Sequence, residues 1–374
     1  MLLKQRNPEI RSLGATMKVG LLQEGETMPG VSVAQRYEEM IREVTLADSL
    51  GFSTWGTSEQ HFSPPRFTVS APEVLYAAVA RHTKNIKLRI MCAVLLKWNH
   101  PILVAERIGT LDIVSGGRAE LATARSNNLH SLEAFGVDPT QTRAQWEDSM
   151  AVLVKAFTEP RLSHDGPVWK IPEREIVPKP LQQPHPPLHV AASSVQSHIN
   201  AGERGIGALT FENYFGFDYL QECLDGYRQG LAKGTGMSPK RTESAGLYVA
   251  TAFCAPTRSE AVAVARDVAL GYFKFIVDLY APLGKQGSYE YLDSRMQKLL
   301  DHEGDLDYLL TETPSVMIGT PDDFIKRLRE LEQRGVDEVL LRIDGMPHDD
   351  IMRSLQLIGH EVIPAVSQPA TAGA

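Results

Sequence analysis

Cysteine is scarce in this 374-residue chain: Cys92, Cys223 and Cys254 stand alone and far apart. That spacing excludes a disulfide framework and a thiolate metal site, and it suits a reducing cytoplasm. No apolar run is long enough to cross a membrane. Residues 1–16 carry Lys4, Arg6, Glu9 and Arg11 but no hydrophobic signal-peptide core. They are expected to form a disordered extension, or an upstream start ahead of Met17. A small, polar tail over 365–374 is expected to be disordered as well. No long Lys/Arg run occurs and the formal net charge is -8, which argues against a nucleic-acid partner. The phosphate loop ending in Lys-Ser/Thr, the His-Glu-x-x-His zinc helix and the Gly-x-Ser-x-Gly elbow are all missing. Gly202, Gly205 and Gly207 follow a helix and lead into a strand, the reverse of a dinucleotide fingerprint, so they read as helix-ending and turn residues. No metal ligand set is expected.

What is present is a regular alternation. With 43% hydrophobic and 22% charged residues the chain has the composition of a globular protein with a large core. Strands are expected at Met17–Leu22, Ser53–Ser58, Ile86–Leu96, Ala119–Ala124, Leu188–Ala192, Ile206–Phe211, Leu247–Cys254 and Asp337–Ile343. Between them lie helical signals. Ser32 with Gln35, Thr257 with Glu260, and Thr320-Pro321 open helices, whereas Gly51 and Gly116-Gly117 close them. A proline-rich stretch from Pro160 to Pro187 reads as a surface wrap. Eight β-then-α units predict an α/β fold, a closed (β/α)8 TIM barrel over 17–364, with a doubly wound sheet as the alternative. The segment from Tyr280 to Thr313 interrupts the seventh unit as a long insertion, a candidate lid.

In such a barrel the C-terminal ends of the strands build the site. Four of these ends are polar where the strands are apolar: Glu59-Gln60-His61-Phe62, Lys97-Trp98-Asn99-His100-Pro101, Arg125-Ser126-Asn127-Asn128 and Ser193-Ser194 with Ser197. Each has a plain structural reading, as hydrogen-bonder, ion-pair partner or helix cap. Together, Arg125 and three hydroxyls at a helix N-terminus make a coherent phosphate site.

Several of these segments, with His100-Pro101 and Glu106, Leu111-Asp112, Ser115-Gly116-Gly117-Arg118 and Phe135-Gly136-Val137-Asp138, resemble the bacterial luciferase-like flavin monooxygenases. So do Ala201 to Gly205, the Gly319-Thr320-Pro321 helix start and the late insertion. The resemblance runs from Met17 to about Pro364. It implies that Arg125, Ser194 and Ser197 hold the phosphate of reduced FMN, with Ser193 in place of an acidic residue. The backbone around Asn127 would meet the pyrimidine edge of the flavin, and a non-prolyl cis peptide at Cys92-Ala93 would lie beneath its ring. The catalytic base of the luciferase α subunit falls on Gln60, which cannot titrate. His61 matches a residue that lies toward the subunit interface, where it would meet Glu106 of a partner chain. The reactive thiol of the α subunit falls on Ala124.

The chemistry so implied is oxygenation of a small organic substrate through a flavin C4a-hydroperoxide, with a separate flavin reductase supplying reduced FMN. Phe62, Trp98, Phe211 and Tyr214 are candidate pocket walls. A homodimer through the helices after the second and third strands is expected. Two alternatives remain: a hydride-transfer enzyme using the deazaflavin F420, and a flavin-binding subunit without turnover of its own.

Overall fold

A computed structural model describes residues 16–285 and 290–368. Eight parallel strands close into a barrel, and helices fill the crossovers. The first half runs β1 (Lys18–Leu22), α1 (Val33–Ser49), β2 (Thr54–Ser58), α2 (Pro72–His82), β3 (Lys87–Val94), α3 (Pro101–Ser115) and β4 (Ala119–Ala124). Then come a short α4 (Leu129–Ala134), α5 (Thr142–Thr158) and an antiparallel hairpin, β5 (Leu162–Asp165) and β6 (Lys170–Arg174). The second half continues with β7 (Leu188–Ala192), α6 (Val195–Arg204), β8 (Gly207–Thr210), α7 (Phe217–Lys233) and β9 (Ala245–Val249). After it follow β10 (Thr251–Cys254), α8 (Arg258–Leu283), α9 (Glu290–Asp301), α10 (Leu306–Thr311), β11 (Val316–Gly319), α11 (Pro321–Arg334), β12 (Glu338–Arg342) and α12 (His348–Leu357). Around the barrel the order is β1-β12-β9-β8-β7-β4-β3-β2.

Local chemistry accounts for the boundaries. Ser32 accepts a hydrogen bond from Gln35 N at the start of α1, and Thr320 forms a reciprocal capping box with Asp323 on α11. Gly116, Gly205 and Gly335 end α3, α6 and α11 in the left-handed region, which only glycine adopts without cost. Strands β2, β8, β9 and β12 are buried along their whole length, as parallel strands sandwiched between side-chain layers and helices must be.

The N-terminal end of the barrel is plugged by charge. Arg89 on β3 reaches Glu120 on β4 and Glu338 on β12, each at 2.6 Å. Burial acts to raise the Glu120 carboxyl, but Arg89 and His189 outweigh it and hold the group well below the usual carboxylate range. A buried pair of this kind closes one end to solvent and leaves the opposite mouth for a site.

Three expectations need correcting. The stretch Leu247–Cys254 is not one strand. It leaves the barrel after Val249, and β10 pairs in parallel with β11, a strand the sequence reading did not assign. The proline-rich stretch contains the β5–β6 hairpin and is not a plain wrap. The Cys92-Ala93 peptide is not cis: the cis bonds among the described residues are Pro64-Pro65, Val177-Pro178 and Gln183-Pro184. The turn of the chain there comes from a bulge instead, with the β3–β4 register shifting between Ile90 and Ala93 and Cys92 at φ 63°. The expected insertion is helical through α8, α9 and α10, and residues 286–289 within it lie outside the described residues, as do 1–15 and 369–374.

Candidate active site

Among the described residues five non-glycines have positive φ, and all five sit at or just after the C-terminal ends of barrel strands. They are Phe62 (60°), Cys92 (63°), Ser126 (69°), Asn213 (57°) and Tyr214 (61°). Each costs roughly 1 kcal/mol or more, and such strain collects where a site demands a particular direction from the chain. Four of them, all but Phe62, line a cleft of about 1260 Å³ that includes its open mouth.

The outer end of this cleft continues into a second groove of about 640 Å³, with Ala124, Arg125, Ala191, Ser193 and Tyr291 common to both. Arg125, Ser193, Ser194 and Ser197 therefore converge, as the sequence predicts. Ser194 caps α6: its Oγ accepts from Ser197 N at 3.2 Å, while Ser197 Oγ accepts from Ser194 N at 3.0 Å. Ser193 Oγ meets the Tyr291 hydroxyl. Beneath them His198 Nδ1 donates to the Ser194 carbonyl at 2.8 Å, and Nε2 accepts from Thr210 Oγ1 at 2.9 Å. Burial presses the His198 imidazole down to about 4, so it is a neutral brace at physiological pH. The groove also holds Arg143 and Arg204, which the sequence reading did not single out. Arg204 pairs with Glu147 at 3.2 Å and lies over the Trp146 ring at 5.3 Å. Three arginines, one of them paired with Glu147, together with three serines and a helix N-terminus make an anion-binding donor set that fits a phosphate. Arg143 and Arg204 lie inside helical stretches, and only the fold turns them toward the serines.

Gln60 and His61 both line the cleft. His61 Nε2 contacts Glu59 Oε1 at 3.2 Å, and its ring meets Phe135 edge-on at 5.0 Å. Glu59 is the organiser of this corner: it accepts from Trp98 Nε1 at 3.0 Å, Asn99 Nδ2 at 2.9 Å and Val94 N at 3.1 Å. Asn128 ties the same loop down, donating to the His61 carbonyl and to Ser63 Oγ at 3.1 Å each. Within the chain His61 is thus paired with Glu59, and the pairing with Glu106 that the resemblance implies would lie between chains. Asn127 lines the cleft and donates to the Tyr280 hydroxyl at 3.4 Å. Cys92 lines it too, its thiol pushed up to about 12 by burial and by the nearby Glu24, so it remains protonated. Ala93, by contrast, is packed in the core. Of the expected pocket walls, Trp98, Phe211 and Tyr214 line the cleft, whereas Phe62 is exposed beside Phe135.

The inner end is a buried polar cluster. Glu24 Oε2 accepts from Arg342 Nε at 2.9 Å and from the Tyr272 hydroxyl at 3.0 Å, and the Tyr248 and Tyr272 hydroxyls meet at 2.7 Å. Burial raises the Glu24 carboxyl above its usual range even against the pull of Arg342, and pushes Tyr214, Tyr248 and Tyr272 well above theirs. The three tyrosines therefore keep their protons at neutral pH. Phe211 stacks on Tyr248 at 4.7 Å, giving the end an aromatic wall. The segment expected as a lid supplies Tyr280, Leu283, Tyr291 and Leu292 to the lining. Among the described residues no cluster of metal ligands occurs and no helix is long and apolar enough to cross a membrane.

Comparison with known proteins agrees with this architecture. The flavin-dependent trigonelline monooxygenase, oxygenase component, of Acinetobacter baylyi is 27% identical over 343 residues, covering 89% of this chain and 91% of the relative. An uncharacterised protein, y4wF, of Sinorhizobium fredii is 31% identical over 176 residues; that match spans 47% of this chain and about half, 51%, of the relative's length. Among solved structures, the oxygenating constituent of 3,6-diketocamphane monooxygenase from Pseudomonas putida, a type II Baeyer-Villiger enzyme in complex with FMN, superposes with a TM-score of 0.77. It is 24% identical and covers 95% of this chain and 100% of that one. The F420-dependent tetrahydromethanopterin reductase of Methanopyrus kandleri gives 0.68 at 18% identity, covering 94% and 99%. The family model for luciferase-like monooxygenases matches residues 17–338, and the chain belongs to that family.

Proposed function

We propose that this protein is the oxygenase of a two-component system, using reduced FMN and molecular oxygen to oxygenate a small organic substrate. The observation that carries the reading is the convergence of Arg125, Ser193, Ser194 and Ser197 on one groove that opens directly into the aromatic cleft. Arg125 and the serines would hold the flavin phosphate, and Cys92 and Asn127 would line the space for the ring. Bound there, reduced flavin supplies the electrons that activate oxygen. The chain supplies binding, orientation and dryness. Phe67, Phe211 and Ile276 add apolar surface to the cleft beside the buried cluster of Glu24, Tyr248 and Tyr272. Gln60 can orient a ligand by hydrogen bonding but moves no proton. A flavin reductase is the expected partner, in keeping with the relative named as an oxygenase component.

A second reading is hydride transfer with F420. It is supported by the length of the anion-binding groove, which runs past the serines to Arg143 and Arg204 and would take a longer acidic tail. Anaerobic titration with reduced FMN and reduced F420, repeated on Arg125→Ala, separates the two. Tighter binding of reduced FMN that the substitution weakens supports the oxygenase. Preference for F420 moves the protein to hydride transfer. If flavin binds but no substrate screen consumes oxygen until a partner chain is added, the protein is a subunit without turnover of its own.

A further inference from the structure

The mechanism above leaves two side chains at the inner end of the cleft without a task. Asn213 and Tyr214 follow β8, both in the left-handed region, and both line the cleft. They are 6% and 2% exposed, yet Asn213 Nδ2 and the Tyr214 hydroxyl meet no hydrogen-bond partner. Buried donors are almost always satisfied, so two adjacent ones left open, on backbone that is itself strained, mark a place where a ligand supplies the acceptor.

We propose that Asn213 and Tyr214 form the oxygen-binding subsite for the substrate, and that the substrate is a neutral, ring-sized apolar molecule carrying a carbonyl or comparable accepting oxygen. This rests on the oxygenase reading for the reaction, though not for the binding. The shape follows from the stacked Phe211 and Tyr248 rings. Neutrality follows from the charges nearby. The Arg342 guanidinium is already tied to Glu24 at 2.9 Å and Glu26 at 2.5 Å. Glu212, the residue before Asn213, is buried and turned toward Gly216 N and Ser315. A carboxylate ligand at this end would enter beside acidic groups, with the Arg342 guanidinium already taken up by two of them. A neutral oxygen needs only the donors that are there. The pair lies apart from the serine groove, whose lining includes neither residue.

The test compares cyclohexanone, methylenecyclohexane and cyclohexanecarboxylate binding to the full-length protein by ligand-observed NMR, with and without oxidised FMN. Cyclohexanone is expected to bind roughly tenfold tighter than its isosteric alkene, the scale of one or two neutral hydrogen bonds. Tyr214→Phe, which removes only the hydroxyl, and Asn213→Asp, which turns a donor into an acceptor, should each erase most of that preference and leave FMN affinity unchanged. Equal binding of ketone and alkene, no detectable ketone binding, tightest binding of the carboxylate, or a ketone preference that survives both substitutions overturns the proposal. Failure to bind FMN strikes the cofactor reading alone, because the ketone comparison is also made without flavin.

Discussion

Trp98 donates its indole N–H to Glu59 at 3.0 Å, joining the loop after β3 to the loop after β2. The same carboxylate takes Asn99 Nδ2 and Val94 N, so one side chain holds three donors from the end of β3 and the loop after it. Glu59→Ala strands those donors and should cost about 2–3 kcal/mol of stability. Glu59→Gln keeps an acceptor and should cost less. Urea unfolding of the two variants checks the order, and equal losses would show that the carboxylate is not the organiser.

Ser194 is both a helix cap and a phosphate candidate, and these roles separate by measurement. Ser194→Ala should destabilise the protein by about 1 kcal/mol, as loss of an N-cap does. Ser197→Ala removes the reciprocal half of the capping box. If the groove holds the flavin phosphate, either change should also weaken FMN about three- to tenfold. The same affinity should fall as salt is added, since the groove attracts an anion. Calorimetric titration at two ionic strengths reads both effects, and a salt-independent affinity would remove the phosphate from this groove.

The His198 imidazole should give the protein an acid-sensitive window. Its folded-state value is about 4, below the 6.5 of the unfolded chain. Between those values the unfolded state binds more protons than the folded one, so stability rises with pH across that interval. The contribution is complete above about pH 6.5, is lost as pH falls toward 4, and is flat below that, a change of about 3 kcal/mol. His198→Gln should flatten this slope relative to the parent in denaturant melts at pH 4.5, 5.5 and 7. Parallel slopes would place the acid sensitivity elsewhere.

Helices α2 and α3 leave Val74 and Leu103 exposed at 74% and 47%, and Ile113, Val114, Phe62 and Phe135 are exposed as well. The expected homodimer would cover this face. Sedimentation equilibrium should give twice the chain mass, and Val74→Asp with Leu103→Asp should return the monomer. A parent protein that sediments as a monomer rules the dimer out.

The barrel was legible because its signals are local. Ser32, Pro72, Pro101 and Thr320 mark helix starts with side chains that act within one turn, and seven of the eight barrel strands fall within two residues of where the sequence puts them. The seventh misled because Tyr248-Val249-Ala250-Thr251-Ala252 is uncharged and buried throughout, and burial in the barrel and burial against β11 look alike in sequence. Arg125 and the serines were found through strand ends and resemblance. Arg143 and Arg204 were missed because helical arginines carry no local mark of the groove they face. Glu24, Tyr248 and Tyr272 come from three distant elements, and no spacing rule brings residues 24 and 272 together.

The pairing of β10 with β11 has an architectural consequence. Thr251 pairs with Val316 and Cys254 with Gly319, so the excursion from 255 to 315 leaves from and returns to one two-stranded ladder, while the barrel closes through β9 and β12 without it. The excursion is therefore a cassette, clipped shut at its own base. It contributes Tyr272, Ile276, Tyr280, Leu283, Tyr291, Leu292 and Ser315 to the cleft, a large part of whatever surface the substrate meets. Descendants of this scaffold can exchange that wall as a unit, altering what is recognised while the groove for the anion and the charged plug at the far end stay as they are.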